Sequence, residues 1–269
     1  MLKDITFGQY FDSNSLIHRL DARVKMVLMI IFIVFIFVSG NFYSLVFSTL
    51  CVFAVMFISK IPLKMYLKNM KAILPVLIFT AIINVFFGDG GKVLVEFWIF
   101  EINSSGLYRA IFMALRILLL IFISSSLTYT TTPNDLTDAI ESLLSPLKFI
   151  GLKSAVHTLA MMMTIALRFI PTLIEEAEKI MNAQKARGAD LESGGLIQRV
   201  KALIPILIPL LISAVRRAYD LAEAMECRCY NGGEGKTRMK QMRMKARDYL
   251  ASFIVCLMCA SVIVLNILL

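Results

Sequence analysis

The sequence predicts an all-α, polytopic membrane protein with about five transmembrane helices, and with two long helices and one short helix on the cytoplasmic side. Of its 269 residues, 58% are hydrophobic and 17% are charged, and the mean hydropathy is +0.77. Ordinary soluble domains have about 25% charged residues, so a lipid bilayer is the predicted solvent. Several uncharged runs are also long enough to cross a hydrocarbon core about 30 Å thick.

Residues 1–131 form the first predicted domain, a membrane domain with four transmembrane helices. The apolar runs 24–39 and 42–59 are separated only by a short Gly-Asn turn, which indicates a transmembrane hairpin. Four lysines then recur at near-helical spacing over 60–71, a pattern typical of an interfacial helix. The third and fourth apolar runs are 72–87 and 107–130.

The distribution of basic residues predicts the orientation in the membrane. Lys and Arg are frequent in 1–25, 60–71 and 132–248, whereas the loop 88–106 holds three acidic residues and one basic residue. If five helices span, the basic regions share one side, and the positive-inside rule places the N-terminus in the cytoplasm and the C-terminus outside. We therefore expect a multi-pass protein of the plasma membrane. Charged residues precede the first apolar run and no cleavage site follows it, so no removable signal peptide is expected.

Residues 132–248 form the second predicted domain, a helical section with 17 Lys and Arg and 13 Asp and Glu. At the start of this section, Pro133 with Asn134 or Asp135 indicates the N-terminal cap of a short helix that ends near Leu144. Two long helices are predicted over 153–187 and 197–228, each apolar in its first half and charged in its second. Residues 249–269 lack charge and form the third domain, a final spanning helix.

The two long helices end in a matching motif. Residues 183–188 and 224–229 both read Ala-x-x-small-Arg-small, 41 residues apart. A planar guanidinium beside small residues can lie against a partner backbone and bind a carboxylate through two hydrogen bonds. A single copy is explained as readily by a helix C-cap in which Gly188 ends the helix. The duplication favours binding to two equivalent partners.

No catalytic, metal or cofactor site is predicted in this chain. It has no Gly-x-x-x-x-Gly-Lys-Ser/Thr phosphate loop, which excludes ATP hydrolysis by that route. His18 and His157 are the only histidines, and neither has a carboxylate or Cys at ligand spacing. The five cysteines are expected to be reduced, and Cys227 and Cys229 lack further metal ligands.

The net charge of +9 is attributed to membrane topology and not to nucleic-acid binding. The run 236–247 contains six bases and no acid, and it either fixes the topology before the last helix or binds anionic lipid. Topology is the favoured interpretation.

Three segments carry a resemblance to a known family. Ala186-Arg187-Gly188, Cys227-Arg228-Cys229 and the segment 15–25 are similar to the two signatures and the N-terminal segment of the transmembrane T components of energy-coupling factor (ECF) transporters, a branch of the ATP-binding-cassette importers. The resemblance covers essentially the whole chain. It implies that the two long helices are crossed coupling helices, and that Arg187 and Arg228 each dock into one of two ATPase subunits. ATP and Mg²⁺ would be bound by those subunits, and no cofactor by this chain.

The resemblance also implies a third partner, a small membrane-embedded substrate-binding subunit (the S component) that delivers a vitamin or a metal ion. The apolar first halves of the two long helices would face it. The implied contact residues are Met161, Met162, Leu167, Pro171, Leu203, Leu207 and Leu211. Arg116, a costly charge within a spanning run, either contacts this subunit or pairs with another helix.

The second motif departs from the family pattern, because Cys227 and Cys229 stand where Ala and Gly are commonest. Its helix has no Gly on which to end and is expected to pack more tightly. Two other classes of function are open. A stand-alone secondary transporter would need intramembrane polar residues, such as Asn84, Arg116 and those of 124–126. A membrane-bound scaffold would need none, and co-isolation with two ATPase subunits would distinguish the coupling role from both.

Overall fold

A computed structural model of the chain describes residues 10–86, 93–97, 100–146, 153–189, 195–231, 242 and 244–268. Within these ranges the structure is almost entirely helical, which confirms the prediction of an all-α polytopic protein. The helices are α1 (Ala22–Val38), α2 (Phe42–Ser59), α3 (Leu63–Phe86), α4 (Ser104–Thr130), α5 (Pro133–Leu143), α6 (Lys153–Ala186), α7 (Leu196–Glu226) and α8 (Ala246–Leu268). By length and composition, six helices of the described ranges can cross a membrane, namely α2, α3, α4, α6, α7 and α8.

Two elements differ from the sequence predictions. A separate interfacial helix over 60–71 is not observed, because α3 is continuous from Leu63 to Phe86 and contains Pro75. Tyr66 is buried near the start of α3 and its ring lies 5.4 Å from that of Tyr129, which holds the lysine-rich part of α3 against α4. The predicted loop contains a hairpin in which Val93–Phe97 (β1) pairs antiparallel with Phe100–Asn103 (β2).

The cap of α5 is Thr132 and not the predicted Asn or Asp. Pro133 is the first helical residue, and Thr132 Oγ1 accepts a hydrogen bond of 3.1 Å from the backbone N–H of Asp135. This pairing suits Pro at the first position, where its missing N–H is not needed. Most of the basic run 236–247 lies outside the described residues.

The chain folds into two compact units. One unit contains α1 to α4, the hairpin and α8, and we call it the helical bundle. Its core includes Phe32, Leu45, Val52 and Leu119, all with less than a tenth of their surface exposed. Large apolar side chains such as Phe57, which is 87% exposed, cover its outside, as expected for contact with lipid.

In the helical bundle, α1 and α8 run in the same direction and are joined at both ends. At their N-terminal ends, the buried Asp248 carboxylate accepts hydrogen bonds from the backbone N–H groups of Asp21 at 2.8 Å and Lys245 at 2.7 Å. At their C-terminal ends, the Gly40 N–H donates to Asn266 Oδ1 at 3.2 Å. These contacts fix the register of the last helix against the first.

The segment before α1 is tied to the helical bundle through His18. Ser15 Oγ lies 2.6 Å from His18 Nδ1, and His18 Nε2 lies 2.8 Å from the Phe11 carbonyl oxygen. Because a carbonyl can only accept, the proton of the neutral imidazole lies on Nε2 and the Ser15 hydroxyl donates to Nδ1. Lys25 Nζ donates to the carbonyl oxygens of His18 at 3.3 Å and Thr130 at 2.8 Å, which links this segment to the end of α4.

Candidate functional site

The second unit carries the candidate site on α6 and α7, which lie antiparallel. Glu176 of α6 accepts hydrogen bonds from Ser213 Oγ at 2.5 Å and from Arg217 Nη2 at 2.6 Å and Nε at 3.1 Å. Further along, Gln184 Nε2 donates to the Pro205 carbonyl oxygen at 3.4 Å. As the residue numbers rise on α6, those of their partners fall on α7. The two helices therefore point in opposite directions.

The first of the two matching motifs closes α6 as a Schellman turn. Gly188 has a left-handed backbone with φ of +87°. Its N–H donates to the Lys185 carbonyl at 3.0 Å, and the Ala189 N–H donates to the Gln184 carbonyl at 3.0 Å. These two bonds satisfy carbonyl groups that would otherwise be unpaired at the helix end. Arg187 is thereby placed directly before the turn.

The second motif closes α7 with the same turn, although it has no glycine. Cys229 has φ of +56°, its N–H donates to the Glu226 carbonyl at 2.8 Å, and the Tyr230 N–H donates to the Met225 carbonyl at 3.0 Å. A left-handed conformation costs a non-glycine residue roughly 1 to 2 kcal/mol. The helix end thus keeps the shared geometry at a local energetic cost, and the missing Gly does not change how the helix terminates.

Both arginines of the motifs are available to a partner. Arg187 and Arg228 are exposed, as are Ala186, Gly188, Cys227 and Cys229 beside them. In the part of the chain that the structure describes, no acidic side chain or carbonyl group accepts from either guanidinium. Each tip therefore presents an unpaired, forked donor suited to a carboxylate. The C-cap and partner-binding interpretations are compatible, because the cap orders the backbone and leaves the side chain free.

The two tips lie at opposite ends of the α6 and α7 pair. Arg187 follows the end of α6, beside the first half of α7, whereas Arg228 follows the end of α7. Since α7 has 31 residues and each adds about 1.5 Å, the tips are on the order of 40 Å apart. An antiparallel pair with equal ends has an approximate two-fold arrangement, which is the arrangement that two equivalent partners require.

The predicted S-component contacts fall on an apolar surface of this pair. Met162 and Leu211 are 62% and 66% exposed. Leu203, Leu207 and Pro171 are exposed as well. The other two predicted contacts, Met161 and Leu167, are half-buried, and Met161 Sδ accepts a hydrogen bond from Tyr230 Oη at 2.8 Å. The α7 surface is extended by Val200, Ile204, Ile208 and Ile212, which are exposed too.

One side-chain pair of this unit corrects the sequence analysis. His157 has a carboxylate partner after all, because its Nδ1 lies 3.5 Å from Glu141 Oε1 of α5. These residues belong to different helices, α5 and α6, and nothing in their spacing along the chain indicated this contact. The described residues contain no third metal ligand beside them. The pair is therefore a structural contact between two helices.

Arg116 of the helical bundle contacts both a neighbouring helix and its own helix, α4. Its Nη2 donates to the carbonyl oxygen of Ser39, the cap residue of α1, and its guanidinium carbon lies 4.8 Å from the centre of the Phe112 ring. Of the two interpretations of this intramembrane charge, the hydrogen bond to Ser39 supports pairing with another helix, whereas Phe112 belongs to α4 itself. The aromatic face and the carbonyl both offset the loss of water around the cation.

Comparison with known proteins gives a consistent result. The family model described as "CbiQ: Cobalt transport protein" matches residues 13–239. The chain is 49% identical over 265 residues to the energy-coupling factor transporter transmembrane protein EcfT of Clostridium kluyveri, which covers 98% of this chain and 96% of the relative. It is 51% identical over 252 residues to the protein of the same name from Ruminiclostridium cellulolyticum, covering 94% and 93%. The Bacillus subtilis protein of that name is 41% identical over 248 residues, covering 92% and 93%.

Proposed function

The chain belongs to the CbiQ/EcfT family of energy-coupling factor transporter transmembrane proteins, and from this membership we propose that it couples two ATPase subunits to a membrane-embedded S component. It is a membrane subunit of a transporter. In this proposal it catalyses no reaction and binds no cofactor, while the ATPase subunits bind ATP and Mg²⁺. The transported vitamin or metal ion is chosen by the S component.

The equivalence of the two helix tips is the observation that carries this proposal. Both tips end in the same turn, both expose an arginine, and they lie at opposite ends of one antiparallel pair. A dimer of ATPase subunits offers two equal grooves related by a two-fold axis, and the pair of tips matches that symmetry. In each groove, Arg187 or Arg228 would form a bidentate hydrogen bond with a carboxylate.

Substitution of the tip arginines tests the coupling role. We expect Arg187→Ala combined with Arg228→Ala to abolish substrate uptake by the reconstituted complex, while the chain still inserts in the membrane. Arg228→Ala alone should reduce uptake measurably, since a hydrogen bond to a charged group contributes about 1.5 to 3 kcal/mol. Uptake of radiolabelled substrate and co-purification of the ATPase subunits are the two measurements.

Arg216→Ala is the matched control, because Arg216 is an exposed arginine of α7 that lies outside the tip. It should leave both uptake and co-purification unchanged. Uptake that survives the double substitution would exclude the coupling role of the tips. Uptake by the purified chain alone, without ATPase subunits, would instead support a secondary transporter.

The apolar surface of α7 is the proposed contact with the S component. Leu207 and Leu211 lie one helical turn apart on it and are exposed. Leu207→Glu should release the S component from the purified complex while the ATPase subunits stay bound. Phe253→Glu on α8, at a side chain that is 69% exposed, is the control and should release neither. Retention of the S component by the Leu207→Glu variant would place its contact elsewhere.

The same proposal assigns the three domains and their orientation. Residues 1–131 and 249–269 would anchor the chain in the plasma membrane, and 132–248 would couple to the partners, with the N-terminus in the cytoplasm. The basic residues near the start of α1 and α8 support this orientation through the positive-inside rule.

A further inference from the structure

A groove in the surface of the helical bundle is left unexplained by the coupling role. It has a volume of about 310 Å³ and lies between the segment before α1 and the helices α1, α2, α4 and α8. Its walls are almost entirely aliphatic and aromatic, with Phe32, Ile58 and Ile254 among them. Ile58 and Ile254 are nearly half exposed, so the groove opens on the outside of the bundle.

The depth of the groove matches one leaflet of a bilayer. On α8 its wall runs from Arg247 at the start of the helix to Met258, which is about 16 Å along the helix axis. Half of a hydrocarbon core about 30 Å thick is about 15 Å. All of its walls come from the same ends of their helices, namely the starts of α1 and α8 and the ends of α2 and α4.

Two basic residues line the interfacial end of the groove, and only one of them is available to a ligand. Lys25 directs its ammonium group to the carbonyl oxygens of His18 and Thr130. Arg247 is exposed, and within the described ranges no acidic group pairs with it. The neighbouring Asp248 is buried and accepts from two backbone N–H groups, so it does not neutralise the arginine.

We propose that this groove binds one anionic phospholipid of the leaflet that contains the starts of α1 and α8. The acyl chain lies along α8 against Leu250, Ile254 and Met258, and the phosphate accepts hydrogen bonds from the Arg247 guanidinium. The apolar wall provides affinity for any acyl chain of suitable length, whereas the arginine selects the anionic headgroup. None of the residues that line the groove belongs to the proposed contacts with the ATPase subunits or the S component.

Quenching of tryptophan fluorescence by brominated phospholipids tests the proposal. Trp98 is the only tryptophan of the sequence, so a chain with Trp98→Phe has no tryptophan fluorescence of its own. In that background, the full-length Ile254→Trp variant is placed in nanodiscs that contain equal parts of phosphatidylglycerol and phosphatidylcholine. Bromine is carried on the acyl chains of one lipid at a time. The control is Phe57→Trp, which reports on bulk lipid because Phe57 is highly exposed and does not line the groove.

In the Ile254→Trp variant, brominated phosphatidylglycerol should quench with an apparent affinity about fivefold higher than brominated phosphatidylcholine, as expected for one basic residue near a membrane surface. Arg247→Gln should remove this preference, Arg247→Lys should keep part of it, and Lys245→Gln, at an exposed lysine that does not line the groove, should preserve it. Equal quenching by both lipids overturns the proposal. So does a preference that persists in Arg247→Gln, or the absence of quenching by either lipid, which would show that protein fills the groove.

Discussion

Gly188 and Cys229 adopt the same left-handed backbone conformation and close the same turn at the ends of α6 and α7. Their φ angles are +87° and +56°, and in both turns the next residue donates a hydrogen bond of 3.0 Å back to the helix. Only one of them is the residue type that suits this conformation, since glycine has no Cβ. The two tips therefore share a geometry but differ in local strain.

This difference predicts that Cys229→Gly stabilises the second tip. Relief of roughly 1 to 2 kcal/mol of backbone strain is opposed by the greater entropy of glycine in the unfolded chain, about 0.5 to 1 kcal/mol. The net gain should be on the order of 1 kcal/mol or less. Hydrogen exchange at the amides of residues 229 and 230 should slow in the variant, and unchanged or faster exchange would contradict the prediction.

The reverse change at the first tip predicts a loss. A Cβ added at Gly188 meets no atom within 4 Å, so Gly188→Ala introduces strain without a clash and should destabilise the tip by about 1 kcal/mol. Gly195→Ala is the matched control, because its site is equally open and its φ is −70°. In thermal unfolding of the detergent-solubilised chain, only Gly188→Ala should lower the midpoint.

Much of the fold could be predicted from the sequence, because uncharged runs and basic segments determine which parts enter a bilayer. The bounds of α6 and α7 agree with the predictions within two residues, since their apolar patterns end at clear motifs. The continuity of α3 could not be predicted. Its first turns read as interfacial from their lysines, and only the packing of Tyr66 against Tyr129 shows that they extend the spanning helix.

The candidate site was predictable in its motifs but not in its geometry. Repetition in the sequence identified Arg187 and Arg228, whereas the left-handed turn at Cys229 is visible only in the structure, because a cysteine gives no signal for that conformation. The contact of Glu176 with Ser213 and Arg217 was also missed. Its members are ordinary charged and polar residues of two different helices, and the sequence contains no sign of how the helices align.

The contact between Glu176 and Arg217 predicts that uptake depends on opposite charges at these two positions of α6 and α7. Their side chains are 23% and 39% exposed, so water weakens the pair but does not remove it. Glu176→Arg and Arg217→Glu should each reduce uptake severalfold through like-charge repulsion. The double exchange should restore much of it, because the opposite charges are again adjacent. Equal losses in the single and double variants would show that the pair does not align the helices.

The His18 contacts predict a pH-dependent stability of the helical bundle. Burial lowers the pKa of this imidazole below its ordinary value of 6.5, with a further lowering by Lys25, while the Phe11 carbonyl and Asp12 act in the opposite direction. The unfolded chain then binds more protons than the folded chain as the pH falls through 6.5. The stabilisation that the uncharged His18 gives the helical bundle is present above pH 6.5. It is lost as the pH falls towards the lower pKa of His18 in the folded chain.

The His18→Gln variant isolates this effect, since an amide can accept and donate in a similar way without titrating. The wild-type chain should lose thermal stability relative to the variant between pH 7 and pH 5. His157→Gln is a second control, because that histidine faces Glu141 in the other unit. A difference between wild type and His18→Gln that stays constant with pH would contradict the assignment.

The contacts of Arg116 predict a loss of stability without a loss of partner binding. Arg116→Met removes the hydrogen bond to the Ser39 carbonyl and should cost about 1.5 to 3 kcal/mol, the contribution of a hydrogen bond that involves a charged group. Arg109→Met, at an exposed arginine two turns earlier on α4, should have little effect. Thermal unfolding and co-purification of the S component check both variants. Release of the S component at unchanged stability would support the alternative interpretation, a contact with that subunit.

The proposed coupling role predicts that the second tip is accessible from the cytoplasm until an ATPase subunit docks on it, and the exposed thiols of Cys227 and Cys229 allow this to be tested. In a Cys256→Ala background, the cysteines that remain outside the tip are Cys51 and Cys259, and both are buried. A membrane-impermeant maleimide should modify the tip in inverted vesicles, but not in intact cells.

Adding the ATPase subunits to the vesicles should slow the modification, because docking buries the tip. As a control, a Tyr219→Cys variant that lacks both tip thiols should be labelled equally with and without the ATPase subunits, since Tyr219 is exposed outside the tip. Labelling from outside the cell would reverse the proposed orientation, and labelling insensitive to the ATPase subunits would exclude docking at this tip.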